Sequence, residues 1–214
     1  MELTARKYTL GEEIFNSVTH GIGTLLSIAG CVVLIVLCAV NKGAMEVVTA
    51  SIYGASLIIL YSMSTLYHAL TNRTAKKVFR ILDHSTIFLL IAGTYTPLAL
   101  CCLKGALGWT IFGLIWGAAA VGIVLSSVNL DKFRKISTLC YILMGWGIII
   151  AIKPLCESIS RFSLIMLIGG GILYSLGVIF YVKKNCKYMH SIWHIFVIGG
   201  SVLHYFSIMD AVLK

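Results

Sequence analysis

Seven apolar runs, each bounded by charged residues, restrict the architectures open to this chain. A helix needs about 20 consecutive apolar residues to cross the hydrocarbon core of a bilayer. The connections are short, so successive helices must be antiparallel neighbours. We predict an all-α, polytopic membrane protein whose residues 1–214 form one seven-transmembrane-helix bundle, with a short charged segment, residues 1–15, before the first helix. The predicted spans are Asn16–Val40, Glu46–Leu70, Ile81–Leu103, Ala106–Val128, Ile136–Ile152, Phe162–Val182 and His190–Leu213.

The fifth run, Ile136–Ile152, is the shortest and lies at the lower limit of length for a span. If it did not cross, the number of spans would fall to six and both termini would lie on the same side of the membrane. The regular alternation of basic and less basic connections favours seven spans.

The composition agrees with a chain that faces lipid. Only 12% of the residues are charged and 59% are hydrophobic, whereas soluble domains carry about 25% charged residues. The net charge of +9 is a feature of nucleic-acid-binding proteins, but in so apolar a chain the positive-inside rule accounts for it. We therefore expect membrane lipids as partners and no nucleic acid. The seven cysteines include no CxxC pair, so they predict no redox or disulfide framework.

The distribution of basic residues predicts the orientation. Of the 17 lysines and arginines, five fall on the side of the membrane where seven spans place the C-terminus: Lys42, Lys104, Lys153, Arg161 and Lys214. The others fall on the side of the N-terminus, in residues 1–15 and in the connections after the second, fourth and sixth spans. This bias predicts a cytoplasmic N-terminus and an external C-terminus. Residues 1–15 lack the apolar core of a signal peptide, so we expect the first run to be a true span.

Ionisable side chains inside the apolar runs are costly in a membrane and mark functional sites. His68 lies near the end of the second span, Asp83 and His84 open the third, and His190 and His194 open the seventh. Antiparallel threading brings all of these residues, with His20 of the first span, to one membrane face. His204 lies ten residues beyond His194, about 15 Å along the helix.

The local spacing favours a metal site. His190 and His194 are separated by four residues and share one helix face, and Ser64 precedes His68 by four. Three histidines and a water form a catalytic type of zinc site, in which Zn²⁺ lowers the pKa of that water to about 7. Asp83 could then act as general base, and Ser64 could orient the water. Imidazole also suits copper, iron and nickel.

Other interpretations of these residues remain open at this point. Asp83 could pair with Arg80, three residues away. His84 and His204 could contact lipid headgroups, and His190 and His194 could extend toward those headgroups without binding a metal. A second polar cluster at the start of the first span comprises Glu13, Asn16 and His20, with Glu12 four residues before Asn16 and Thr19 beside it. It could close a cavity, orient a ligand histidine or cap the bundle.

Five motifs resemble those of the hemolysin III family, the bacterial branch of the progestin and adipoQ receptors. They are Glu13-Ile-Phe-Asn16-Ser-Val-Thr19-His20, Ser64-Thr-Leu-Tyr-His68, Asp83-His84, Gly93-Thr-Tyr-Thr-Pro97 and His190-Ser-Ile-Trp-His194. The resemblance implies seven helices with a cytoplasmic N-terminus, and zinc held by His68, His190 and His194. It also implies that Ser64 and Asp83 lie around the zinc-bound water.

Three functions are compatible with these features. The first is a zinc-dependent intramembrane hydrolase of lipid amide or ester bonds near the cytoplasmic leaflet, as the resemblance to alkaline ceramidases suggests. The second is a sensor or regulator of membrane-lipid homeostasis with structural zinc. The third is a pore-forming cytolysin, although the chain shows no soluble face. In each case we expect a multi-pass protein of the bacterial cell membrane.

Overall fold

The computed structural model of the chain describes residues 8–103, 105–183 and 186–214, and the regular structure in these ranges is all helical. A π-helical segment, Leu98–Leu103, follows Pro97, and a 3₁₀ segment, Gly147–Ala151, precedes α5. The α-helices are α1 Leu10–Asn41, α2 Ala44–Ala69, α3 Arg73–Pro97, α4 Gly105–Trp146, α5 Ile152–Ser158, α6 Arg161–Val182 and α7 Met189–Leu213.

The first and third helices begin earlier than predicted. Helix α1 starts at Leu10 because Thr9 and Glu12 form a capping box there, so the end of the predicted segment 1–15 is helical. Helix α3 starts at Arg73, where the Asn72 side chain accepts hydrogen bonds from two backbone N–H groups. Residues 1–7, Lys104 and Lys184, which entered the charge count, lie outside the described residues.

Six helical stretches of the described chain are long and apolar enough to cross a membrane: Leu10–Asn41, Ala44–Ala69, Arg73–Leu103, Gly105–Ser158, Arg161–Val182 and Met189–Leu213. Many of the large apolar side chains on their outer faces are exposed; Leu25, Val40 and Ile150 are examples. Such a surface is suited to lipid and not to water.

The chain reverses direction within the fourth stretch. Asn129 has a non-helical backbone conformation, and its side chain accepts a hydrogen bond from the Lys132 N–H. The hydroxyl oxygens of Ser126 and Ser137 are 3.4 Å apart, although eleven residues of straight helix would separate them by about 16 Å. The predicted spans leave residues 129–135 as a connecting loop. That prediction is wrong, because the backbone departs from helical geometry at Asn129 and the charged residues after it are helical.

Packing between the helices places the end of α2 and the beginnings of α3 and α7 at the same end of the molecule. Helix α1 contacts α2 and α7, α2 contacts α3, α3 contacts α4, and α6 contacts α7. We call the end where α2 finishes and α3 and α7 begin the histidine end, and the opposite end of the bundle the far end. Gly93 allows α3 to approach α2 closely, since a Cβ atom there would lie 2.2 Å from Ser56 Oγ.

Candidate metal centre

Three buried histidines converge at the histidine end. His68 lies in the last turn of α2, and His190 and His194 lie in the first two turns of α7. Each offers a ring nitrogen within 4.8 Å of those of the other two, and the Nε2 atoms of His190 and His194 are 3.2 Å apart. Since all three side chains are buried, the interpretation in which His190 and His194 extend toward lipid headgroups is wrong.

The donor set fits a metal ion. Two nitrogens bound to one tetrahedral zinc lie about 3.3 Å apart, because each Zn–N bond is about 2.0–2.1 Å. His68 Nε2 is buried and has no hydrogen-bond partner among the described residues, as expected of an atom whose partner is a metal ion. Three nitrogen ligands also leave a fourth position for water or substrate. This group of histidines could therefore hold a metal ion.

A carboxylate fixes the ring of His68. Glu13 Oε2 lies 2.6 Å from His68 Nδ1, and Glu13 Oε1 lies 2.7 Å from Lys76 Nζ. When Nδ1–H donates to this carboxylate, the lone pair of Nε2 faces the other two histidines, which is the usual support for a metal-bound imidazole. Glu13, expected only within a secondary cluster, thus contacts a candidate ligand directly. Sequence reasoning missed Lys76, because only tertiary packing brings α3 to α1.

Glu12 ties the start of α1 to the start of α7. Its Oε2 atom accepts hydrogen bonds from the backbone and side chain of Thr9, each at 2.8 Å, and its Oε1 atom accepts the Tyr188 N–H at 2.7 Å. Tyr188 has a φ of 62° and precedes α7 as its N-cap. The carboxylate therefore holds the turn that places His190 two residues later.

His20 packs on a candidate ligand. Its ring stacks on that of His194, with centroids 3.6 Å apart and planes 15° apart, and meets Tyr61 edge-on at 5.0 Å. Asn16 is completely buried one turn earlier, whereas the Thr19 hydroxyl donates to carbonyls of its own helix. Of the roles considered for the second polar cluster, this packing matches the orientation of a ligand histidine.

Asp83 lies near His68 and His20. It is buried, within electrostatic range of His68 and next to Ser64. Its Oδ2 atom is 3.4 Å from His84 Nδ1. Arg80 pairs instead with Asp131, so the alternative pairing of Asp83 with Arg80 is wrong. Ser64 Oγ is also buried.

The two remaining histidines do not contact headgroups. His84 is only 3% exposed, and its Nδ1–H donates to the Arg80 carbonyl at 3.0 Å. His204 Nε2 lies 3.1 Å from the Leu167 carbonyl, inside the bundle. The headgroup interpretation of both residues is therefore wrong.

Aromatic rings cover the histidines. Tyr8, which precedes α1, stacks on His190 with centroids 4.9 Å apart and planes 20° apart. Trp193 and Tyr181 lie 5.0 and 6.4 Å from the same ring. Burial raises the pKa of the Tyr8 hydroxyl, so this group stays protonated. Tyr8 was not predicted, and its place one residue before the Thr9 cap is the only signal in the sequence.

An apolar cavity of about 360 Å³ opens beside this cluster, a size typical of ligand cavities. It lies between α3, the second half of α4, α6 and α7. His20 and Asp83 line it at the histidine end, and Leu98, Leu167 and His204 line it at the far end. Asp83 and Leu98 are fifteen residues apart, so the cavity extends about 22 Å along α3.

Comparison with known proteins places these features in a family. The family model described as haemolysin-III related matches residues 8–205. The chain belongs to the hemolysin III family. It is 47% identical to Hemolysin-3 of Bacillus cereus over 175 residues, which cover 82% of this chain and 80% of that protein. It is 46% identical to the Hemolysin-3 homolog of Bacillus subtilis (strain 168) over 169 residues, 79% of each chain.

A more distant relative is the human monocyte to macrophage differentiation factor. It is 28% identical over 175 residues, covering 79% of this chain and 71% of the human protein. Membership of the hemolysin III family and the six apolar helical stretches identify the chain as a multi-pass protein of the cell membrane. The matched region includes every candidate site residue from Glu12 to His204.

Proposed function

We propose that this hemolysin III protein is a zinc-dependent intramembrane hydrolase that cleaves an amide or ester bond of a lipid near the cytoplasmic headgroups. One observation carries the proposal: three buried histidines lie close enough to share a metal ion, and Asp83, within electrostatic range of His68, lines an apolar cavity. The cluster supplies a metal site, and the cavity supplies room for an aliphatic chain.

We further propose that the chain crosses the membrane seven times, with the N-terminus in the cytoplasm. The reversal at Asn129 supports this topology, since the stretch Gly105–Ser158 has 54 residues and one crossing needs about 20. The bias of lysine and arginine toward the histidine end supports the orientation. The candidate site then lies at the depth of the cytoplasmic headgroups.

The residues divide the chemical work between them. His68, His190 and His194 would hold the metal. When bound there, zinc acts as a Lewis acid that lowers the pKa of a water molecule to about 7 and so supplies a nucleophile near neutral pH. A carboxylate oxygen of Asp83 accepts the proton of the attacking water and returns it to the leaving amine or alcohol as the C–N or C–O bond breaks. The Ser64 hydroxyl orients that water.

The cavity matches a lipid substrate. Its length of about 22 Å along α3 and its apolar lining suit an aliphatic chain, whereas an ion pathway needs polar lining. The cavity therefore favours a lipid ligand over the pore-forming alternative. A lipid sensor with structural zinc would use the same cavity, but it would bind lipid without releasing a product.

The substitution Asp83→Asn tests the proposal. We expect turnover to fall by about 10²–10⁴-fold, the usual contribution of a general base, while the metal content stays unchanged because the three histidines remain. The assay measures fatty acid released from N-acyl and O-acyl lipids in nanodiscs by the purified, zinc-loaded protein. Asp131→Asn, which alters an exposed carboxylate paired with Arg80, is the matched control.

Two results would contradict the proposal. Full activity of the Asp83→Asn protein would remove the role assigned to that carboxylate. Absence of product from the zinc-loaded wild type across the lipid panel would remove the hydrolase and leave the sensor.

A further inference from the structure

Arg134 lies at the histidine end of the cavity. The second half of α4 lines the cavity with Thr138, Tyr141 and Gly145, which recur every three or four residues and so share one helix face. Arg134 lies four residues before Thr138 and continues this face by one turn. Its guanidinium group is within electrostatic range of the hydroxyl of Tyr181, which lines the cavity from α6. Both observations place this cation next to the cavity wall.

The charge of Arg134 has no counter-ion among the residues that the structure describes. Two other cations at this end of the bundle are paired, Arg80 with Asp131 and Lys76 with Glu13. Arg134 takes part in none of the ion pairs of the described chain, although its side chain is only partly exposed. Because a partly buried charge is stabilised by an anion that pairs with it, this pattern leaves a place for an anion from outside the chain.

The phosphate of a lipid is the anion that reaches this position. With an aliphatic chain in the cavity and its ester or amide near Asp83, the headgroup is attached beyond that bond, toward the membrane surface. Arg134 lies one turn beyond Thr138 in the same direction. A planar guanidinium forms two parallel hydrogen bonds with a phosphate. A free fatty acid would instead place its carboxylate near the three histidines, so the position of Arg134 favours a phosphate.

The neighbouring cation Lys135 lies above a different face of the same helix. Lys135 shares that face with Leu139 and Leu143, which are 56% and 62% exposed and therefore face lipid. The general attraction of basic residues to anionic headgroups applies to both cations. Only Arg134 shares its face with the wall of the cavity, so a comparison of the two residues separates a specific site from general surface charge.

We propose that Arg134 binds the phosphate of a lipid whose aliphatic chain occupies the cavity, so that the ligand of this protein is a phospholipid. Lipids without a phosphate lack this contact and bind more weakly. This inference rests on the proposed function in one respect: the cavity must hold an aliphatic chain with its polar head at the histidine end.

A binding measurement tests the inference without any need for turnover. 1-O-Octadecylglycerol and its 3-phosphate differ only in the phosphate, and neither contains an ester that could be hydrolysed. Each competes with a fluorescent monoalkylglycerol for the full-length protein in a maltoside detergent, which contains no phosphate. Wild type is compared with Arg134→Gln and with the matched control Lys135→Gln. For each ligand the affinity of a variant is divided by that of wild type, so that the ligands' different partitioning into micelles cancels.

We expect Arg134→Gln to weaken binding of the phosphate about 10-fold more than binding of the neutral ether, the contribution of a hydrogen bond between charged groups. Retained binding of the neutral ether shows that the variant is folded. Lys135→Gln should affect the two ligands equally. Arg134→Lys keeps the charge and loses the two parallel hydrogen bonds, so its preference for the phosphate should fall between those of wild type and Arg134→Gln. Glycerol 3-phosphate, the headgroup without the chain, should not displace the probe.

Equal effects of Arg134→Gln on the two ligands, or the same selective loss in Lys135→Gln, would overturn the inference. Displacement of the probe by glycerol 3-phosphate would show that the site takes a free phosphate and would overturn the assignment to a lipid. If the neutral ether binds and the phosphate brings no gain that depends on Arg134, only this inference fails. If neither ligand binds wild type, the lipid cavity of the proposed function fails with it.

Discussion

At the scale of single residues, Glu13 shows how the candidate metal centre is supported. Its carboxylate lies between His68 Nδ1 and Lys76 Nζ, at 2.6 and 2.7 Å. The carboxylate sets which nitrogen of His68 carries the proton, and Lys76 balances its charge. Such partners of a metal-bound imidazole contribute strongly to metal affinity.

We predict that Glu13→Gln weakens metal binding about 10- to 100-fold, because His68 loses its charged partner. Competition of the purified protein with a chromophoric chelator measures the affinity. Glu46→Gln changes a carboxylate that caps the first turn of α2, away from the histidines, and should leave the affinity unchanged. Equal affinities of wild type and Glu13→Gln would show that this pair does not support a metal site.

The sequence predicts the histidines of this site better than their partners. The spacing of His190 and His194, together with antiparallel threading, places three imidazoles at one depth. The contact of Glu13 with Lys76 could not be predicted. It depends on how far the start of α3 extends out of the membrane and on the rotation of α3 about its own axis. The same holds for Tyr8, which reaches His190 only through the turn at Thr9.

At the scale of secondary-structure elements, Glu12 joins two helices that are distant in sequence. It closes the capping box of α1 and also accepts the Tyr188 N–H before α7. At the start of α2, Glu46 Oε2 accepts a hydrogen bond from the backbone N–H of Gly43 at 3.1 Å. Both carboxylates therefore accept a hydrogen bond at the start of their own helix, but only Glu12 also bonds to the segment before another helix, α7.

We predict that Glu12→Ala destabilises the protein by about 1 kcal/mol more than Glu46→Ala. Each variant loses the hydrogen bond that its glutamate accepts from the backbone of the N-cap residue, and Glu12 also loses the hydrogen bond from Tyr188, which contributes about 1 kcal/mol. Thermal unfolding in detergent, followed by circular dichroism, compares the two variants. Equal midpoints would mean that the link to α7 adds nothing to stability.

Helix α4 shows where apolar runs mislead. The charged residues after Asn129 predict a loop of seven residues, but a single residue reverses the chain. The Asn129 side chain caps the following turn, and Asp131 pairs with Arg80 of α3, so the charged segment remains helical at the end of the bundle. Hydropathy predicts where the chain reverses, but it cannot predict how few residues the turn contains, because that number depends on side-chain hydrogen bonds.

At the scale of the whole molecule, the number of crossings fixes where the two termini lie. We predict that the N-terminus is cytoplasmic and the C-terminus external, as seven spans require. A green fluorescent protein fused to the N-terminus should fluoresce, and alkaline phosphatase fused to the C-terminus should be active outside the inner membrane. Phosphatase activity only when that enzyme is fused after α6 and not after α7 would indicate six crossings.

The arrangement of the whole bundle places three histidines that could hold a metal ion close to an apolar cavity. The apolar runs predict a membrane protein, and the spacing of the histidines predicts their depth. The cavity could not be predicted, since it arises where α3, α4, α6 and α7 fail to fill the space between them.

The central claim is that this membrane protein holds a metal ion on three histidines, and elemental analysis of the detergent-purified protein tests it most directly. Wild type is compared with His68→Ala and His194→Ala, with His84→Ala as the control, because His84 is buried nearby but bonds to the Arg80 carbonyl. We predict about one zinc per chain in wild type and His84→Ala, and loss of the metal in the other two. A folded wild type without metal after zinc reconstitution, or metal retained by both ligand variants, would contradict the claim.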